Sequence, residues 1–275
     1  MLGTNNAAKK NLNAGKLRKF LNTLFYLTLF LTQGVGTANA DANKDLTSPI
    51  PQEEGLTLGA GVIDVNPAYI GVHNQVTPIP WIRYRNGYFF AAGITAGYAL
   101  MQTQEITLAI AVRPRFNRLK ASDSPQLDGI QERKPTLDSG VVLSWREAWG
   151  QLRIAAFHDV LNKDNGTSVG LGWGYPLRVG YGRLTPGLGT EWQSAHLTNH
   201  YYGVSPAEST ATRPAYTPGS ATNPYVSLFY GTPLSDHWRF LAGVRYSALA
   251  KSITQSPIVD KNHNLMLLTT IAYHF

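Results

Sequence analysis

The end of the chain constrains its fold most. Leu265, Leu267, Thr269, Ile271, Tyr273 and Phe275 occupy every second position up to the last residue. A period of two, not 3.6, marks a strand with one apolar face. An amphipathic final strand closing on an aromatic residue is the form in which barrel proteins are handed to the outer-membrane assembly machinery. A free strand edge pairs with a template, and alternate side chains set the register. Ile271, Tyr273 and Phe275 are therefore read as a barrel-assembly signal, with that machinery and outer-membrane lipid as expected partners. The terminal strand of a soluble sheet alternates in the same way, so the rest of the chain must decide between the two.

The beginning of the chain points outward from the cytoplasm. Lys16, Arg18 and Lys19 precede an apolar run from Phe20 to Leu31, and Ala38-Asn39-Ala40 has the small-x-small form of a cleavage site. Residues 1–40 read as a signal peptide, cut between Ala40 and Asp41. The apolar run is too short to span a bilayer well, and Gln33 and Gly34 close it. The net charge of +7 belongs mostly to this leader, which holds five bases and no acids. It supports no nucleic-acid partner. The absence of cysteine excludes disulfides, thiolate metal sites and a lipidated N-terminal Cys.

Residues 41–54 are polar, contain Pro49 and Pro51, and read as a periplasmic lead-in; residues 55–275 read as the barrel. Charged residues make up 15% of the chain, against roughly 25% in an average soluble domain. Val169, Leu171, Trp173 and Tyr175 alternate with small residues, and similar series run through Ile106–Val112 and Trp238–Tyr246. A sandwich would alternate too. Two details favour a membrane barrel: aromatic residues at strand ends, such as Trp173, Trp192, Trp238 and Tyr273, and a second face that mixes glycine with arginine. The fold expected is all-β, a transmembrane antiparallel up-and-down barrel. Strands read near 55–63, 79–85, 88–98, 105–115, 136–146, 151–159, 168–176, 183–192, 223–230, 238–247 and 264–275. That odd count cannot close with both ends in the periplasm, so twelve strands are expected, with ten as the alternative. The missing strand is placed around Tyr69–Val76. Asn86-Gly87 reads as a two-residue turn, and the long segments Phe116–Pro135, Ser194–Thr222 and Ala248–His263 read as external loops.

Strand phase sends Arg83, Arg85, Arg113, Arg115, Arg153, Arg183, Arg239 and Arg245 to the lumen, with Glu105, Asp138, Asp159 and Glu191. One reading is an anion-favouring pore. The other is an ion-pair network filling a narrow barrel, and barrel size favours it. His196 and His200 are four apart, but Gly203 and Pro206 argue against the helix that would align them on a metal. There is no nucleophile elbow and no phosphate-binding glycine loop, so no catalytic residue, metal or cofactor is assigned.

Several segments carry a resemblance. Pro67-Ala68-Tyr69-Ile70-Gly71, Pro78-Ile79-Pro80, the run Asp123–Ile130 with Arg133, Tyr201-Tyr202-Gly203-Val204-Ser205, His237-Trp238, and Ser256-Pro257-Ile258-Val259 with Tyr273-His274-Phe275 resemble, in order, motifs of the MipA/OmpV family of outer-membrane proteins. Val72, His73 and Asn74 depart from the family's usual Ser and acids, and Ile130 replaces its usual Met. The resemblance implies a non-enzymatic scaffold barrel that bridges a murein-cleaving lytic transglycosylase and a penicillin-binding protein. A surface adhesin and a small anion-favouring pore remain the competing expectations.

Overall fold

The computed structural model describes residues 54–275. The leader, the Ala40/Asp41 cleavage site and all but the last residue of the lead-in lie outside them. All the sheet in the described chain is antiparallel. In order it forms β1 (Gly55–Asn66), β2 (Gln75–Asn86), β3 (Phe89–Gly93), β4 (Thr95–Gln102), β5 (Ile106–Arg115), β6 (Thr136–Glu147) and β7 (Gly150–Asp159). There follow β8 (Thr167–Gly174), β9 (Leu177–Val179), β10 (Gly182–Gln193), β11 (Ala221–Pro233), β12 (Trp238–Ala248) and β13 (His263–His274). Two helices interrupt the loops, α1 (Ala195–Tyr202) and α2 (Lys251–Thr254).

Apart from β8 and β9, each strand pairs with its sequence neighbours, and β13 returns to β1 to close the ring. β8 and β9 both pair with β10 and share one position in the wall, which makes a twelve-strand barrel. The strand that alternation hides is not at Tyr69–Val76. That stretch gives only an isolated bridge, Tyr69 to Val259, before β2 begins at Gln75. The hidden strand comes from splitting 88–98. Ala92 pairs with Thr95 around a two-residue turn at Gly93-Ile94. Gly93, at φ +65°, takes the backbone conformation that such a turn demands of its first residue. Apolar residues continue through the turn, so periodicity alone runs across it. The earlier turn is likewise shifted by one: Asn86 pairs with Phe89, leaving Gly87-Tyr88 at the tip.

The outward faces are apolar. Leu267, Ile271, Ile110, Val112, Leu171, Leu188 and Val226 are all exposed, as lipid-facing residues of a membrane barrel are. Aromatic residues gather where the strands meet the short turns: Trp145 against Trp149, Trp173 against Tyr175, and Tyr273 against both Trp238 and Phe275. The terminal residue is tied in, since Phe275 N–H donates to Leu56 O at 3.0 Å.

Most of the long connections lie at the opposite end and pack together into a cap with its own apolar core. Tyr69, Leu119, Leu127, Leu197, Tyr201 and Ile253 are among its buried members. Arg133 meets Glu208 at 2.8 Å, and Arg213 donates to the carbonyls of Gln126, Asp128 and Glu208. The cap contains α1, contrary to the expectation that Gly203 and Pro206 preclude a helix there. The Ser194 hydroxyl caps Leu197 N–H, and the helix ends at Gly203, so Pro206 falls beyond it and breaks nothing.

Candidate functional site in a divided lumen

Strand parity divides the interior into two sectors. One, on β5 to β8, β10 and the upper parts of β11 and β12, is charged. Arg115 bridges Asp138 at 2.9 Å and Asp164 at 3.0 Å, and Arg113 lies 3.6 Å from the same Asp138. Below them Arg245 meets Glu191 at 3.3 Å and lies over the Tyr225 ring at 3.6 Å, while Arg113 covers Phe157 at 4.0 Å. Between these groups is a cavity of about 60 Å³, lined by Arg113, Arg153, Ser168, Glu191, Tyr225 and Arg245 among others. That is room for a few water molecules. Arg153 Nε is buried there without a hydrogen bond. Small glycines of β8 leave this space open, whereas Ala109, Ala111, Val142, Ala155, Phe90 and Phe157 pack the layer beside it.

The other sector, on the lower parts of β11 and β12 and on β13, β1 and β2 above the arginines at the turns, is apolar. Ile79, Leu241 and Leu268 form its centre, with Ile63, Trp81, Ile94, Phe116 and Phe229 against them. Gly243 permits this packing, because a Cβ there would fall 2.0 Å from the Phe229 ring.

The residues singled out in the sequence are distributed unevenly over this plan. Arg113, Arg115, Asp138, Arg153, Glu191 and Arg245 come together in the charged sector. Asp159 is buried but serves a loop: it accepts from Thr136 Oγ1 and from the N–H groups of Leu161, Lys163, Asp164 and Asn165. Arg83, Arg85 and Arg239 are buried near the short turns, where Arg239 donates to Ser235 O at 2.8 Å. Arg183 starts β10 at that same end. Glu105 is not inside. It sits exposed in the turn before β5, bonded to Thr103. Asp164, Tyr225 and Trp81 are interior participants that alternation did not single out. The first lies in a loop, and the other two stand among apolar neighbours.

α1 carries both His196 and His200. Burial depresses the His200 pKa below the ordinary imidazole value, and its Nε2 has no hydrogen-bond partner. No group of three or more His, Cys, Asp or Glu is placed to hold a metal among the described residues.

A closed antiparallel ring, an apolar outer face, an aromatic belt at the turns and charges held inside define an integral outer-membrane β-barrel. Comparison with known proteins narrows that class. The family model for MltA-interacting protein MipA matches residues 58–275, and the chain belongs to that family. It is 30% identical over 226 residues to MltA-interacting protein of Escherichia coli (strain K12), covering 81% of this chain and 91% of that one. It is also 30% identical to the putative outer membrane protein YiaT of the same strain, over 80% of this chain and 91% of the relative. OmpV of Vibrio cholerae is 31% identical over 54% of this chain and 57% of its own length. Among solved structures, an outer membrane channel from Pseudomonas putida F1 aligns with a TM-score of 0.45 and 12% identity, over 85% of this chain and all of that one. The protein is an outer-membrane protein of the MipA/OmpV type.

Proposed function

We propose that this barrel is a non-enzymatic interaction protein that holds a murein-cleaving enzyme of the MltA kind at the inner face of the outer membrane. A penicillin-binding synthase is the second partner in the same assembly. The observation that carries the reading is the pairing of family with a closed interior. A relative named for its interaction with MltA covers most of this chain, and the loop end is roofed by a packed cap. A roofed barrel in which Arg113, Arg115 and Arg245 are paired with acids is poorly suited to conduct solutes, which speaks against the anion-pore alternative. The surface available to a periplasmic partner is the turn end, where Glu105, Glu147 and Asp236 stand exposed beside Trp149 and Leu234.

The test is capture of a soluble MltA-type lytic transglycosylase by the detergent-extracted barrel. Capture that is weakened by Glu147→Arg with Asp236→Arg, and unchanged when the tip of the cap is cut away, supports the proposal. Capture no better than that of an unrelated barrel refutes it. Loss of capture on cutting the cap moves the interaction to the cell surface, as an adhesin would require.

A further inference from the structure

The ring of strands is complete only near the turn end. β3 and β4 are short, and their hairpin stops at Gly93-Ile94. β2 pairs with β3 only from Ile82 to Asn86, and β5 pairs with β4 only up to Val112. Above the hairpin, Gln75–Trp81 of β2 and Arg113–Arg115 of β5 have no strand on their facing edges among the described residues. The wall has a notch about two strands wide, ~10 Å at the usual strand spacing.

The direction of each backbone group along this notch follows from the register. Phe275 N–H donates to Leu56 O, so the even-numbered residues of β1 turn to β13 and the odd ones to β2. Their partners Arg83, Trp81, Ile79 and Thr77 turn back to β1. Val76, Pro78 and Pro80 therefore face the notch. On β5, Arg146 N–H donates to Glu105 O, so odd residues face β6 and Pro114 faces the notch. Of these four notch-facing positions, three are proline. An unpaired N–H at membrane depth costs several kcal/mol, and proline has none. The same rule holds where β8 gives way to β9: Pro186 faces that break, accepting from Tyr175 N–H with its carbonyl. The sequence thus builds the notch as a permanent opening, and its proline edges also refuse pairing with a strand of another chain.

The notch opens onto hydrocarbon. Its outer frame is Val76, Pro78, Pro80, Ile110 and Val112, all exposed. Behind it stands the apolar sector: Trp81 lies over Gly93 at the hairpin tip, and Ile79, Ile94 and Phe116 join the cluster that reaches Leu241 and Leu268. We propose that the notch is a lateral binding site for the acyl chain of an outer-membrane lipid, which enters from the bilayer and rests against Ile79, Trp81, Ile94 and Phe116. A protein strand would need the donors that the prolines remove. A hydrocarbon chain needs none.

The mature chain can be reconstituted in vesicles containing a phospholipid with a diazirine midway along one acyl chain, irradiated, and mapped by peptide mass spectrometry. Adducts are expected at Ile79, Trp81 and Ile94 as well as at lipid-facing Ile110 and Val112, with none at Ala155 or Phe157 inside the closed wall. Ile94→Arg lies in the turn, outside the ladder, so the barrel still assembles. It should cut the interior adducts ~tenfold or more, given the cost of charge among hydrocarbon, and leave those at Ile110 unchanged. Labelling confined to the outward residues overturns the proposal, as does undiminished interior labelling in Ile94→Arg. Interior labelling by a free diazirine fatty acid, but not by the phospholipid, overturns the lipid as occupant.

Discussion

The two sectors of the lumen meet the same problem, filling the inside of a twelve-strand ring, with opposite chemistry. The charged sector lies behind the paired strands β5 to β8 and β10 to β11 and touches the notch only at its margin, through Arg113 and Arg115 on β5. The apolar sector lies beside the notch. That correlation has a physical basis. Buried charges need fixed partners at short range, which Arg115, Asp138 and Asp164 supply to one another. Next to an opening onto hydrocarbon an unpaired charge would face a solvent that cannot hydrate it. The two arginines at that margin are held by Asp138 and Asp164, while the rest of the opening is lined by apolar side chains.

The sharpest way to break this comparison is to remove one charge. Asp138 is 2% exposed and holds both Arg113 and Arg115. Asp138→Ala is expected to cost ~3–5 kcal/mol, because it strips the largely buried Arg115 and the partly exposed Arg113 of the acid they share. Urea unfolding in detergent, followed by the heat-modifiable gel shift, measures it. Leu268→Ala on the other side should cost less, ~2 kcal/mol and the low end for a core leucine, if lipid or solvent can fill the space left beside the notch. Equal losses would mean that both sectors are sealed.

Backbone substitutions sharpen the comparison at the wall itself. Ile79 turns its N–H to β1, whereas its neighbours Pro78 and Pro80 turn ring nitrogens that carry no hydrogen to the notch, although all three lie in one strand. Ile79→Pro should cost ~2–3 kcal/mol by removing a ladder bond and orphaning its acceptor. Pro78→Ala and Pro80→Ala should each stay within ~1 kcal/mol. If all three were equally damaging, the notch would be closed by pairing and the lateral site would fall with it.

Much of this plan was legible in the residues. Phe275 with its alternating predecessors identified the barrel and its closing strand, because a period of two survives any tertiary context. Phase also put Arg113, Arg115 and Asp138 on one face of their strands, where the structure has them in contact. The notch did not, although its prolines are plain in the sequence. Pro78 and Pro80 mark an edge only once the register of β1 against β13 shows which way their nitrogens point. The hairpin at Gly93 escaped for a related reason: Phe90, Ala92 and Ile94 continue the alternation straight through a two-residue turn. Asp164 was out of reach, since a loop acid joins an ion pair only through three-dimensional folding.

The smallest effect concerns the cap that roofs both sectors. Burial raises the Glu208 pKa. The N–H groups of Ser205 and Gln131, the Ser205 hydroxyl and Arg133 outweigh that burial and hold the carboxyl below its ordinary value of 4.5. A depressed carboxylate stabilises the fold fully above its unfolded pKa, and that contribution disappears as pH falls through the folded value. The cap should therefore be insensitive to pH near neutrality and loosen in acid below about pH 4.5, by ~1 kcal/mol for this one group. Limited proteolysis within 205–213 by an acid-active protease reads the change. Cleavage should quicken on acidification in the parent chain, and Glu208→Gln should flatten that dependence while cleaving somewhat faster at neutral pH. The Arg115–Tyr201 contact, 5.5 Å from guanidinium to ring centroid, ties α1 of the cap to the charged sector below. If acid loosens the cap and leaves the heat-modifiable mobility intact, the two sectors stand without their roof, and their difference belongs to the wall.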